Sequence, residues 1–253
     1  LILRRLVHMI HDGLLEEGLH DVMHFLGTSK LEWAVLLTDI QRAVRKYHNP
    51  NFMITYDCAS PFLATANGQV YHSIRIEDRG KWSYMMAPGA DDKKYSTDTR
   101  SFKDTVEQDG ILEAFEDSPI SKACQVKDIC IYKPGDLNKI GKEGKTSWDS
   151  FSYALQMGHN VWMHIESTQR ANEQYDQGLS PYMLINDTDF QAWGVVKFKE
   201  VVDEIFSLKD REKSLKLIET YDRYWMHVIG TRLKIGKKTK NPLTNYGKLF
   251  EEL

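Results

Sequence analysis

Of two adjacent residues, Asp57 ends a run rich in β-formers, NFMITYD (51–57), and Cys58 follows it, ahead of small residues with Pro61, Asn67 and Gly68. In parallel α/β sheets and barrels ligands bind at the carboxyl ends of strands, so a carboxylate at that place faces a cleft, in an active-site position. The other reading of Asp57 is a turn former or helix cap. Cys58 has no neighbouring His in a motif and reads as a buried structural thiol rather than a nucleophile. His24 stands near the end of an earlier strand-like run, where it is either a substrate contact or a half-buried histidine beside the core. The aromatic runs WSYMM (82–86) and YDRYWMH (221–227) offer stacking surfaces for bases, although the helical spacing of the second fits core better. Lys234, Lys237, Lys238 and Lys240, in KIGKKTKN (234–241) beside Pro242 and Tyr246, form either a phosphate-contacting loop for a nucleic acid or a solvated surface loop.

These residues need a scaffold, and the hydrophobic periodicity supplies one. Leu3, Leu6, Val7, Ile10 and Leu14 share the face of a first helix, closed by Gly13 and Gly18. DVMHFLG (21–27) is a short strand ending in a glycine. From Lys30 the chain turns helical, with Trp33, Leu36, Leu37, Ile40, Val44 and Tyr47 on one face, until His48, Asn49 and Pro50 end it before the second strand. Two strands joined by a helical crossover of this length are parallel, so the segment is a βαβ unit. Gly27 and Asp57 then lie on one sheet edge, where the Gly27 backbone can approach a planar ligand beside the carboxylate.

Beyond Tyr71 the periodicity loosens, and residues 73–145 read as an insertion of loops and small strands or helices. Helix returns from Thr146 to about Asp176, and a last helical part (195–231) places Leu215, Ile218, Tyr221, Trp225 and Val228 on one face. The fold class is therefore α/β, with domain boundaries at 1–176, including the insertion, and 190–253 for a helical carboxyl-terminal extension.

The 253 residues are 42% hydrophobic and 27% charged, enough to bury a core and too apolar for a disordered chain. Lys and Arg number 33 against 36 Asp and Glu, so bulk attraction to polyanions is excluded and nucleic-acid contact requires a local patch. No run reaches the roughly 18 apolar residues of a membrane helix, and the charged start LILRRLVHMIHDG is unlike a signal peptide. Three cysteines without a C-x-x-C pair fit a reducing compartment, and the expected setting is cytoplasmic, with no membrane partner. The first residue is Leu1, which suggests that the sequence starts inside a longer product.

The segment YDCASPFLATANGQVY (56–71) resembles the nucleophile segment of the tRNA-guanine transglycosylases, matching at Tyr56, Asp57, Cys58, Pro61, Asn67, Gly68 and Tyr71. MHFLGTSKLEWAVLL (23–37) is similar to that family's Leu-Met-Gly-Val-Gly strand end and following helix, with Leu26 and Gly27 at its base-binding backbone positions. GHNVWMH (158–164) resembles a His-Asn-apolar helix start near the family's carboxyl end. The resemblance implies the carboxyl-terminal part of a (β/α)8 TIM-type barrel, with Leu1 inside the sixth unit. It also implies exchange of guanine in a nucleic acid for a free 7-deazaguanine through a covalent Asp57-glycosyl intermediate, with no metal or redox cofactor in the reaction. A second carboxylate that assists proton transfer in the family falls upstream of this chain.

Departures from the family narrow the expectation. Leu63 and Ala66 stand where the family carries two arginines for the tRNA anticodon loop. His159 matches the histidine of the family's zinc site, but only Cys130 lies near its cysteine positions, and the spacing of Cys124 and Cys130 is not a zinc spacing. His159 then reads as a helix-start or packed histidine, and no zinc is expected. Both losses resemble the phage and bacterial paralogues that insert 7-deazaguanines into DNA. DNA is thus the expected substrate, tRNA the alternative, and a catalytically silent nucleic-acid-binding subunit the reading from another class. Homodimerisation is left open.

Overall fold

The computed structural model describes residues 1–76, 82–90, 93–102, 110–130, 150–177 and 198–229. Helix α1 (Ile2–His11) buries Leu3, Leu6 and Val7, one face of a 3.6-residue repeat. Leu14, expected on the same face, lies beyond the helix end and is half exposed. Strand β1 (Val22–Phe25), helix α2 (Leu31–Tyr47) and strand β2 (Met53–Tyr56) follow in the expected order. The Met53 amide donates to the Asp21 carbonyl and the Asp57 amide to the Phe25 carbonyl. Both strands thus advance four residues in the same sense between bonds, which makes the pair parallel.

Next come α3 (Ser60–Ala66), the antiparallel strands β3 (Gln69–Arg75) and β4 (Ser83–Pro88), the short helices α4 (Gly110–Glu113) and α5 (Val126–Ile129), and the long α6 (Ser150–Asp176). α7 (Phe198–Ser207) and α8 (Arg211–Ile229) close the described chain. The class is mixed α/β; among the described residues the strands form two separate two-stranded sheets, and no barrel is seen. The last helical part is two helices. Asp210 begins α8, its Oδ1 accepting the Lys213 amide and its carbonyl accepting the Ser214 amide. The Lys234–Lys240 loop lies outside the described residues.

The chain divides into two compact units. One holds Leu1–Val22, Asp39–Met53 and the helices α7 and α8. Its core gathers Leu6, Val44, Phe52, Val202, Ile205 and Ile218. Around it Arg4 pairs with Asp222 at 2.6 Å, Arg211 pairs with Asp12, and Asp203 accepts from both Lys46 Nζ and Tyr47 Oη. Buried Asn49 fixes the turn after α2, donating to the Leu15 carbonyl and Asp21 Oδ1 while accepting the Asn51 amide.

The other unit holds Met23–Thr38 and Ile54–Pro181. The stretch read as an irregular insertion shares a core with β3, in which Val70, Tyr95, Phe102, Leu112, Phe115, Val126 and Ile129 are almost fully buried. α6 presents an unusual face to this core. Ser152, Gln156, His159, Asn160 and Ser167 are all buried; the first four bond main-chain carbonyls of α5, β3 and α3, and Ser167 bonds the Met163 carbonyl of α6 itself. The last carbonyls of a helix as short as α5 have no intrahelical donor, and Ser152 and Gln156 meet those of Asp128 and Ile129.

Candidate active site

Period-two alternation puts Thr55 and Asp57 on the same side of β2, and His24 of β1 joins them. His24 Nδ1 lies 2.9 Å from Thr55 Oγ1, and its Nε2 stands 3.7 Å from Asp57 Oδ2. The Asp57 side chain is 60% exposed and His24 44%, so both are open to a ligand. The other carboxylate oxygen, Oδ1, accepts the Gly27 amide at 3.1 Å. One residue on, the Thr28 amide donates to the Asp57 carbonyl at 2.7 Å. The end of β1 thereby grips Asp57 at both its side chain and its main chain.

Gly27 adopts φ +73°, a left-handed conformation that glycine takes without steric cost. This turn aims its N–H at Asp57. The position expected to contact a base therefore orients the candidate nucleophile, and Leu26 beside it is 80% exposed. His24 is not a core-side packing residue; it belongs to the Asp57 constellation. The signal for it was parity, because His24, Thr55 and Asp57 share one face only when the two strands are set in parallel register.

Behind Asp57 the chain is anchored by Asn160, which is fully buried. Its Nδ2 donates to the Pro61 carbonyl, Thr65 Oγ1 and the Gln69 carbonyl, while its Oδ1 accepts the Tyr71 amide. Both ends of α3 and the start of β3 are thus tied to one side chain of α6. His159 next to it sits in the middle of α6, not at a helix start. Its Nε2 donates to the Tyr71 carbonyl at 2.6 Å, its ring packs against Phe115, and burial pulls its pKa down to about 4. It is a packed neutral histidine. No group of three or more His, Cys, Asp or Glu side chains among the described residues is placed to hold a metal.

Compared with family models, curated proteins and solved structures, the chain finds no match. The site's chemistry is therefore read from its own geometry. An exposed carboxylate held by one oxygen presents the other to an electrophile, and an imidazole beside it can exchange a proton.

Two expectations about neighbouring residues change. Cys58 is only half-buried, and its Sγ lies 3.5 Å from His164 Nε2, the last residue of GHNVWMH. No sequence motif joins them, since 106 positions separate the pair. In WSYMM, Tyr84 stacks on Tyr71 with ring centroids 4.5 Å apart, so its face is occupied within the protein. In YDRYWMH, Asp222 forms the ion pair with Arg4; the side chains from Arg223 onward lie outside the described residues.

Proposed function

We propose that the chain is a base-exchange transglycosylase that replaces guanine in a nucleic acid by a 7-deazaguanine, with Asp57 as nucleophile. The observation that carries this reading is the Asp57 carboxylate fixed at the end of a parallel strand by the Gly27 amide, with its side chain exposed. Oδ2 attacks the anomeric carbon of a flipped-out nucleotide as guanine departs with the bond's electron pair. The result is a glycosyl ester of Asp57. A free 7-deazaguanine then displaces the carboxylate, and two inversions give net retention. His24, beside Oδ2, is the group placed to pass a proton to the leaving base or take one from the incoming base.

DNA is favoured over tRNA by the surface next to the nucleophile. α3 exposes Phe62, Leu63 and Ala66 there, and Leu63 and Ala66 stand where the resembled family uses arginines on an anticodon loop.

The test supplies labelled guanine to the full-length protein with duplex DNA and, separately, with tRNA. Label enters DNA, and Asp57→Asn abolishes uptake with the circular dichroism spectrum unchanged. Uptake by the Asp57→Asn variant overturns the role of Asp57, and uptake into tRNA alone overturns the choice of substrate. A denaturation-resistant protein–nucleic acid adduct, formed by wild type and not by Asp57→Asn, separates the enzyme from a silent binding subunit.

A further inference from the structure

The contacts around Cys58 form a short chain of polar groups. Cys58 Sγ faces His164 Nε2 at 3.5 Å, and on the other side of the ring Tyr84 Oη lies 2.9 Å from His164 Nδ1, where it can accept the imidazole proton. In that tautomer Nε2 is the bare nitrogen and can take a proton from sulfur. Tyr84 is itself held by stacking on Tyr71 and lies near-parallel to the His164 ring. Burial lowers the His164 pKa, so the resting ring is neutral.

We propose that Cys58 is a peroxide-reactive thiol, activated by His164 and oxidised to a sulfenic acid. The thiol proton passes to His164 Nε2, and the thiolate sulfur attacks one peroxide oxygen. The O–O bond breaks, and the departing hydroxide takes the proton from Nε2 to leave as water. Sulfur is oxidised by two electrons and the peroxide is reduced by two. One nitrogen thus removes the first proton and delivers it to the leaving group, both of which it can do from a position beside sulfur. Cys130 is buried, and burial with the Asp128 charge raises the Cys124 pKa.

The test treats the whole protein with hydrogen peroxide, traps sulfenic acid with a 1,3-diketone, and maps the adduct by mass spectrometry. Cys58 is expected to react about 10-fold faster than Cys124 or Cys130, and His164→Gln to slow Cys58 by about 10-fold without changing Cys124. Tyr84→Phe keeps the aromatic stack but removes the acceptor for the Nδ1 proton, and it slows Cys58 in the same direction. Equal rates at Cys58 and Cys124 in the wild type overturn the proposal. So does an unchanged Cys58 rate in folded Tyr84→Phe and His164→Gln proteins. The outcome is independent of base exchange, because the readout is adduct mass rather than label uptake.

Discussion

The amide of Gly27 and the carboxylate of Asp57 lie 3.1 Å apart across the ends of two parallel strands, and the bond depends on the left-handed turn at Gly27. A Cβ added at Gly27 meets nothing within 4 Å, so the penalty for Gly27→Ala is conformational, about 1 kcal/mol or slightly more. The variant either bears that loss or rotates its amide away from Asp57. In the first case the urea midpoint falls, and in the second labelled-guanine uptake falls by about 10-fold. Wild-type values for both would show that the grip is dispensable.

His24 is 44% exposed and meets Thr55 and Asp57 in the site, so its removal leaves the core intact. His24→Ala is expected to lower base exchange by about 100-fold, the range of a lost acid–base group, with stability changed by less than about 0.5 kcal/mol. Steady-state uptake kinetics and urea unfolding measure the two effects separately. A large stability loss with unchanged uptake would make His24 structural.

Asn160 is a stability prediction with a functional consequence. Asn160→Leu leaves the Tyr71 amide and the Pro61 and Gln69 carbonyls without this partner in a buried site, which costs about 3 kcal/mol or more. Asn160→Asp is expected to be worse, because a carboxylate would face three oxygens that now accept or share a donated proton. Denaturant titration ranks the two variants. A milder effect for Asn160→Asp would mean that Thr65 and the carbonyls find other donors.

Which parts of this arrangement were legible in the sequence follows from the range of each interaction. The β1–α2–β2 unit was readable because its signals are local: β-formers in MITY, a helical repeat through α2, and glycine or proline at the breaks. Placing Gly27 and Asp57 on one edge followed from the parallel crossover alone. By contrast, Cys58 and His164, or Asn160 and Tyr71, meet only because α6 folds back over α3 and β3. No period encodes that return. The buried face of α6 is itself polar, so a search for apolar stripes passes over it, and the core of the insertion is assembled from residues scattered among short turns.

His159 ties stability to pH through its burial. Its pKa falls from an ordinary 6.5 to about 4 in the folded protein, because burial penalises the charged ring more than the bond to the Tyr71 carbonyl favours it. Above pH 6.5 the ring is neutral in both folded and unfolded chains, and its contribution to stability is fully present. As the pH drops from 6.5 to 4, the unfolded chain takes up a proton that the folded chain refuses. Stability is then lost at up to about 1.4 kcal/mol per pH unit, about 3 kcal/mol in all, and the loss levels off below pH 4. His48 and His164, also lowered by burial, act in the same direction. His159→Gln keeps an N–H for the Tyr71 carbonyl but cannot titrate, so its unfolding free energy is expected to vary less between pH 7.5 and 5 than that of the wild type. Urea titrations at the two pH values decide it: equal slopes for both proteins would mean that His159 is protonated in the folded state, and that its ring is not sealed against Phe115 and Tyr71 as the geometry requires.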